Sequence, residues 1–186
     1  MVSIPSLWLP ILVATVLVFV ASSLVWMVLP HHKSDTRRLP DEVAAVDVLG
    51  KQGLKPGLYR FPWASSMAET KDPTFVEKLK KGPVGLLTVF PSGPFDMGRS
   101  MGLWALYLVI VGFFVAYVTG RHLEPGAHYL AVFRLAGTVA FLTYSGALLP
   151  ASIWWGKPLG VTSKEIADGL LYGLLTAGAF GWLWPR

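Results

Sequence analysis

Residues 7–29 read LWLPILVATVLVFVASSLVWMVL, without one Asp, Glu, Lys or Arg. A run longer than roughly 18 apolar residues marks a membrane span. Within lipid a single segment satisfies its own backbone hydrogen bonds only as a helix, so the many β-branched residues of Ile11 to Val20 do not argue against one. Trp8 and Trp26 bracket the run. Their separation is about 27 Å along a helix, close to the roughly 30 Å of bilayer hydrocarbon whose two interfaces favour Trp. Pro10 falls in the first turn, where its missing N–H costs little, and Pro30 closes the span. No Lys or Arg precedes Lys33, and the apolar run exceeds the short core of a cleaved signal, so the segment is expected to stay as an uncleaved span.

Outward from this stretch, three more segments lack charge: Ser100 to Gly120, Leu135 to Gly156, and Gly169 to Pro185. They predict spans at residues 101–119, 129–149 and 166–184. The fold class expected is an α-helical integral membrane protein with four transmembrane helices. The whole chain agrees: 53% of its 186 residues are apolar, only 15% are charged, and mean hydropathy is +0.53. Soluble domains carry about 25% charged residues. The absence of Cys excludes a disulfide scaffold, a thiol nucleophile and cysteine-held zinc or iron–sulfur centres. The net charge of +5 reads as membrane-flanking basic residues. No basic run is interleaved with stacking aromatics, so no nucleic-acid partner is expected.

Residues 30–100 are the one long polar segment, with eleven of the sixteen basic and eight of the eleven acidic residues. They predict a small α+β unit in the order helix, strand, helix, strand. Asp41-Glu42 opens a helix to Lys51, and Gly57 to Pro62 reads as a strand. Asp72-Pro73 starts a helix to Lys81, and Val84 to Phe90 reads as a second strand. Its core should be marginal, and the unit is expected to lean on the membrane surface or the helix ends. Residues 150–165 are expected to be a loop, with Trp154-Trp155 as an interfacial anchor. Counting residues 30–100 with Lys157 and Lys164 puts thirteen basic residues on one side. That side is assigned to the cytoplasm, with both termini outside.

Gly169, Gly173, Ala177 and Gly181 recur every four residues in the fourth span, and Gly112, Ala116 and Gly120 do so in the second. Small residues at this spacing let helix backbones approach closely. Ala136 and Ala140 offer a similar face in the third span. Leu170, Leu174 and Phe180 are expected on other, lipid-facing parts of the fourth helix. Whether the Gly169 stripe meets the second span of this chain or a second subunit is open at the level of sequence.

Few residues offer chemistry. His31 and His32 lie at one interface and read as solvated; His122 and His128 lie at the other. Arg134 sits five residues into the third span, where a charge must snorkel or pair. Its expected partner is Glu124 or the carbonyl ends of the second span, and Arg134, Glu124, His122 and His128 make a candidate polar cluster. Asp168, one turn after Glu165, reads as a carboxylate favoured by the dipole in the first turn of the fourth span. No spacing forms a catalytic set, and no nucleophile elbow, zinc-protease or phosphate-loop motif occurs. No catalytic residue, cofactor or metal is therefore expected.

The segments WMVLPHHKSD (26–35), LPDE (39–42), YRFPW (59–63) and DGLLYG (168–173) resemble those of uncharacterised bacterial four-span inner-membrane proteins built as one span, a polar segment and three spans. The resemblance implies a bacterial inner membrane and no established activity. The function expected is that of a non-catalytic accessory subunit, scaffold or assembly factor, with the lipid bilayer and a membrane-protein partner or homo-oligomer as partners. The alternative is a small oligomeric transporter or channel; a membrane enzyme acting on lipid or quinone comes third.

Overall fold

A computed structural model describes residues 1–186. The chain is mostly helical and divides into two compact units, residues 1–36 with 96–186, and residues 37–95.

The first unit is a helical bundle. A 3-10 turn over Ile4–Leu7 leads into α1, Trp8–Ser23, which widens into a π-type turn over Leu24–Val28. Leu29 is extended (φ −76°, ψ 141°), as the residue before a proline tends to be, and Pro30 then starts a 3-10 turn ending at His32. Three helical stretches are long and apolar enough to cross a membrane: Ile4–Val28, Met97–His122 and Tyr129–Trp155.

The second unit holds α2, Glu42–Lys51; β1, Gly57–Phe61; α3, Pro73–Lys81; and β2, Gly85–Val89. The strands pair antiparallel, with Tyr59 opposite Leu87. Asp41 and Asp72 cap the two helices by accepting the Ala44 and Thr74 N–H groups at 3.0 and 2.7 Å. Phe75 is the only buried large apolar residue of this unit, while Val43, Val46, Trp63 and Phe90 stay exposed.

The bundle continues with α4, Met97–His122; α5, Tyr129–Ser145; α6, Leu149–Trp155; and α7, Leu159–Trp182. The long helices close a ring in which α1 touches α4 and α7, and α5 touches α4 and α7. The α1 residues facing inward recur every fourth position: Pro10, Ala14, Val18 and Ser22. The most extensive contact is α5 on α7. A Cβ added at Gly173 would lie 3.2 Å from the Phe141 backbone nitrogen, and one at Gly181 would lie 2.7 Å from the Tyr129 ring. A Cβ added at Gly169 would meet Ser145 and Tyr144, and one added at Gly137 would lie 3.0 Å from Ala177. The Gly169 stripe thus meets α5 of the same chain. Gly112 faces Ile11, and Gly120 approaches the backbone of Val2, whose N–H donates to the Gly120 carbonyl at 2.8 Å. Ala116 is fully buried between them.

Three expectations need correction. Residues 150–165 are not a plain loop: α6 occupies Leu149–Trp155, and Gly156 ends it in the left-handed conformation (φ 70°). The fourth helix starts at Leu159 rather than near residue 166. Its first turns are polar, so an apolar run misses them, but their charges are paired: Lys157 holds Glu165 at 2.5 Å and Lys164 holds Asp35 at 2.6 Å. Phe180 is fully buried, because α7 packs on both α5 and α1 and therefore buries a wider arc than one stripe. Leu170 and Leu174 are exposed.

Candidate functional site

Two ends of the bundle concentrate polar groups. At one, the terminal ammonium of Met1 pairs with Glu124, and Trp184 donates its indole N–H to the Glu124 carbonyl at 3.0 Å. His122 Nδ1 contacts the Val118 carbonyl of its own helix, and His128 Nδ1 accepts the Leu130 N–H at the start of α5. Arg134 forms no ion pair; it borders an apolar groove with Phe133, Phe141 and Leu174. The expected Arg134–Glu124 pair is therefore corrected. Glu124 is exposed and turned toward the N-terminus, and the four residues of that candidate cluster share no hydrogen bond or ion pair with one another.

The other end carries the site. Asp168 lies about two and a half turns into α7, so it does not cap that helix as its sequence position suggested. It reaches across to the turn that follows α1. His32 Nε2 lies 2.7 Å from Asp168 Oδ2, and His32 Nδ1 lies 2.5 Å from Asp35 Oδ2. His31 Nε2 lies 3.4 Å from Asp168 Oδ1. The His32 and Asp168 side chains are only 5% and 7% exposed, whereas His31 is 38% exposed. Reading His32 as solvated was wrong. The break at Leu29-Pro30 folds the chain back so that the imidazole enters the space beside α7.

The local backbone explains why these groups meet. Pro30 fixes its own φ and initiates the tight turn that carries both histidines. Trp26, on the π-type turn, stacks flat on the His32 ring at 3.8 Å and 6°. Lys164 then binds the turn at three points: the His31 carbonyl at 2.6 Å, Ser34 Oγ at 2.9 Å and Asp35 Oδ1 at 2.6 Å.

The electrostatics follow from these contacts. Burial disfavours a charged imidazole, but the hydrogen bonds to Asp35 and Asp168, and the charges of both, outweigh it and raise the His32 pKa above its ordinary value. Hydrogen bonds from Lys164 and His32 hold Asp35 below the usual carboxylate range. A protonated ring placed between two carboxylates donates from both nitrogens, and Lys164 adds a second donor to Asp35. Opposite charges and hydrogen-bond partners in contact are what let polar groups sit buried at the end of an apolar bundle.

Asp168 also borders a cleft of about 320 Å³ lined by Trp26, Trp104, Tyr107, Tyr144 and Tyr172. Trp104 is tied by its indole N–H to Ser22 Oγ at 2.9 Å. The Tyr172 hydroxyl is buried there without a hydrogen-bond partner.

The sequence carried partial signals of this site. Asp35 follows His32 at the spacing of one turn, directly after a span, and Asp168 is an acid set between Ala167 and Gly169-Leu170-Leu171. The link from His32 to Asp168 joins residues 136 positions apart. No protein family, curated protein or solved structure matches the chain.

Proposed function

We propose that this chain is a non-catalytic integral membrane protein that crosses a bacterial inner membrane four times and serves a membrane complex as an accessory subunit or scaffold. The observation that carries the reading is the closure of α7 on α5 along Gly169, Gly173, Ala177 and Gly181. A carrier or channel needs a polar path between helices. The middle of this bundle is instead filled by Val111, Val115, Ala136, Ala140 and Phe180. The buried Thr119 and Thr176 hydroxyls donate to the Val115 and Tyr172 carbonyls of their own helices, at 2.7 and 2.8 Å. A fourth crossing by α7 is supported by its packing on α1 and α5 and by its 24 residues, which reach about 36 Å. The exposed band of Leu12, Val16, Phe114, Leu142 and Leu170 suits lipid or a partner helix.

The test is capture of the tagged full-length protein in mild detergent, with mass spectrometry of what co-purifies. A stoichiometric membrane-protein partner supports the reading. A chain that purifies alone as a homo-oligomer and passes ions or solutes across liposomes overturns it in favour of a small transporter or channel.

The same reading puts residues 30–100 in the cytoplasm and both termini outside, by the excess of basic residues. Because the chain has no Cys, Ser65→Cys gives a single label site. In intact cells it should resist a membrane-impermeant maleimide and react only after permeabilisation. Labelling of intact cells reverses the orientation.

A further inference from the structure

We propose that His31, His32 and Asp168 form a binding site for a divalent first-row transition ion of the zinc class. This goes beyond the scaffold reading and does not depend on it. One nitrogen of each imidazole and the carboxylate converge, with all ligand atoms within 4.8 Å of one another. A tetrahedral ion with bonds of about 2.0–2.1 Å sets its donor atoms about 3.3 Å apart. His31 Nε2 and Asp168 Oδ1 stand at 3.4 Å already. His32 Nε2 and Asp168 Oδ2 stand at 2.7 Å, the distance of a shared proton. The two imidazoles face different oxygens of one carboxylate, so an ion held through either oxygen displaces the shared proton and needs a small rotation of the Asp168 carboxylate to meet both rings.

The surroundings of His32 match those of a metal ligand. A ligating imidazole usually donates its other N–H to a carboxylate, which fixes its tautomer and orientation. His32 Nδ1 does this to Asp35, and Lys164 in turn fixes Asp35. Trp26 holds the plane of the ring. Two imidazoles and one carboxylate, with no thiolate, suit Zn2+ or Fe2+ and not Mg2+ or Ca2+, which prefer all-oxygen sites. Three protein ligands leave a coordination position free. Asp168 also lines the aromatic cleft, beside the position the three ligands leave open.

The experiment uses the full-length chain in detergent, without a polyhistidine tag, stripped by chelator and titrated with ZnCl2 in a calorimeter. About one Zn2+ per chain is expected, undisturbed by excess Mg2+, and Co2+ should give the visible bands of a low-coordinate site. His31→Ala should abolish stoichiometric binding; His31 is the exposed ligand, so the buried His32–Asp168 pair and the fold remain. Asp35→Asn should weaken binding about 10- to 100-fold. The double variant His122→Ala/His128→Ala should bind as the parent does. Substoichiometric binding by the parent overturns the proposal and leaves the cluster a structural clasp. Unchanged binding by His31→Ala, or its loss in the His122/His128 variant, overturns it as well, by placing the ion elsewhere.

Discussion

Gly173→Leu should destabilise the bundle by about 3 kcal/mol, the upper end of the usual range for overpacking. The reason is what the new side chain meets. Even a Cβ at this position falls 3.2 to 3.3 Å from the nitrogen, Cα and Cβ of Phe141. Two of those atoms are backbone and have no rotamer to escape into, so α5 and α7 must separate. Leu174→Ile is the comparison. Leu174 is 47% exposed on the outer surface, and a swap that conserves volume there should cost less than about 1 kcal/mol. Thermal unfolding in detergent reads both. A Gly173→Leu protein that melts with the parent means that the α5–α7 contact does not hold the bundle together.

Asp168→Leu should cost about 3–5 kcal/mol, the range for removing one partner of a buried ion pair. It leaves His32 Nε2 buried opposite a methyl group, with Asp35 its remaining acceptor. Glu124→Gln supplies the scale, because Glu124 and its Met1 partner are both exposed and such pairs are worth less than about 1 kcal/mol. The double variant His32→Leu/Asp168→Leu should regain only part of the loss: the buried imidazole goes together with its Asp168 partner, but Asp35 Oδ2 loses its donor. The thermal midpoints of the four proteins decide it. If Asp168→Leu costs no more than Glu124→Gln, the cluster is not a buried ion pair in solution.

What could be read from the sequence follows from how far apart the deciding residues lie. The helix of residues 7–29 is dictated by the solvent it meets, and Asp41, Asp72 and their neighbours announce two capped helices within a few positions. The small-residue stripe was visible because four residues keep one helical phase. Its partner was not, since α5 shows Ala136 and Ala140 to sequence reasoning, whereas Gly137 is the residue that faces Ala177. The start of α7 was missed because its polar first turns look like a loop until Lys157 and Lys164 find Glu165 and Asp35. The site itself was the least legible. His32 looks exposed by its neighbours in sequence, and only folding brings Asp168 to it.

The inner face of α1 presents Pro10, Ala14 and Val18, and around them the helix is almost uniformly aliphatic. Such a rod has little to tell it how far to slide or turn, because one greasy contact replaces another at similar free energy. Its two ends supply the missing information. Val2 is hydrogen-bonded to Gly120 at one, and the turn after Val28 is pinned to α7 through His32 and Lys164 at the other. A displacement by one residue, about 1.5 Å along the axis, would break both attachments at once. The polar ends thus work as index marks on a nearly smooth cylinder, and together with the Trp104–Ser22 hydrogen bond they, rather than the aliphatic contacts, set the register of α1.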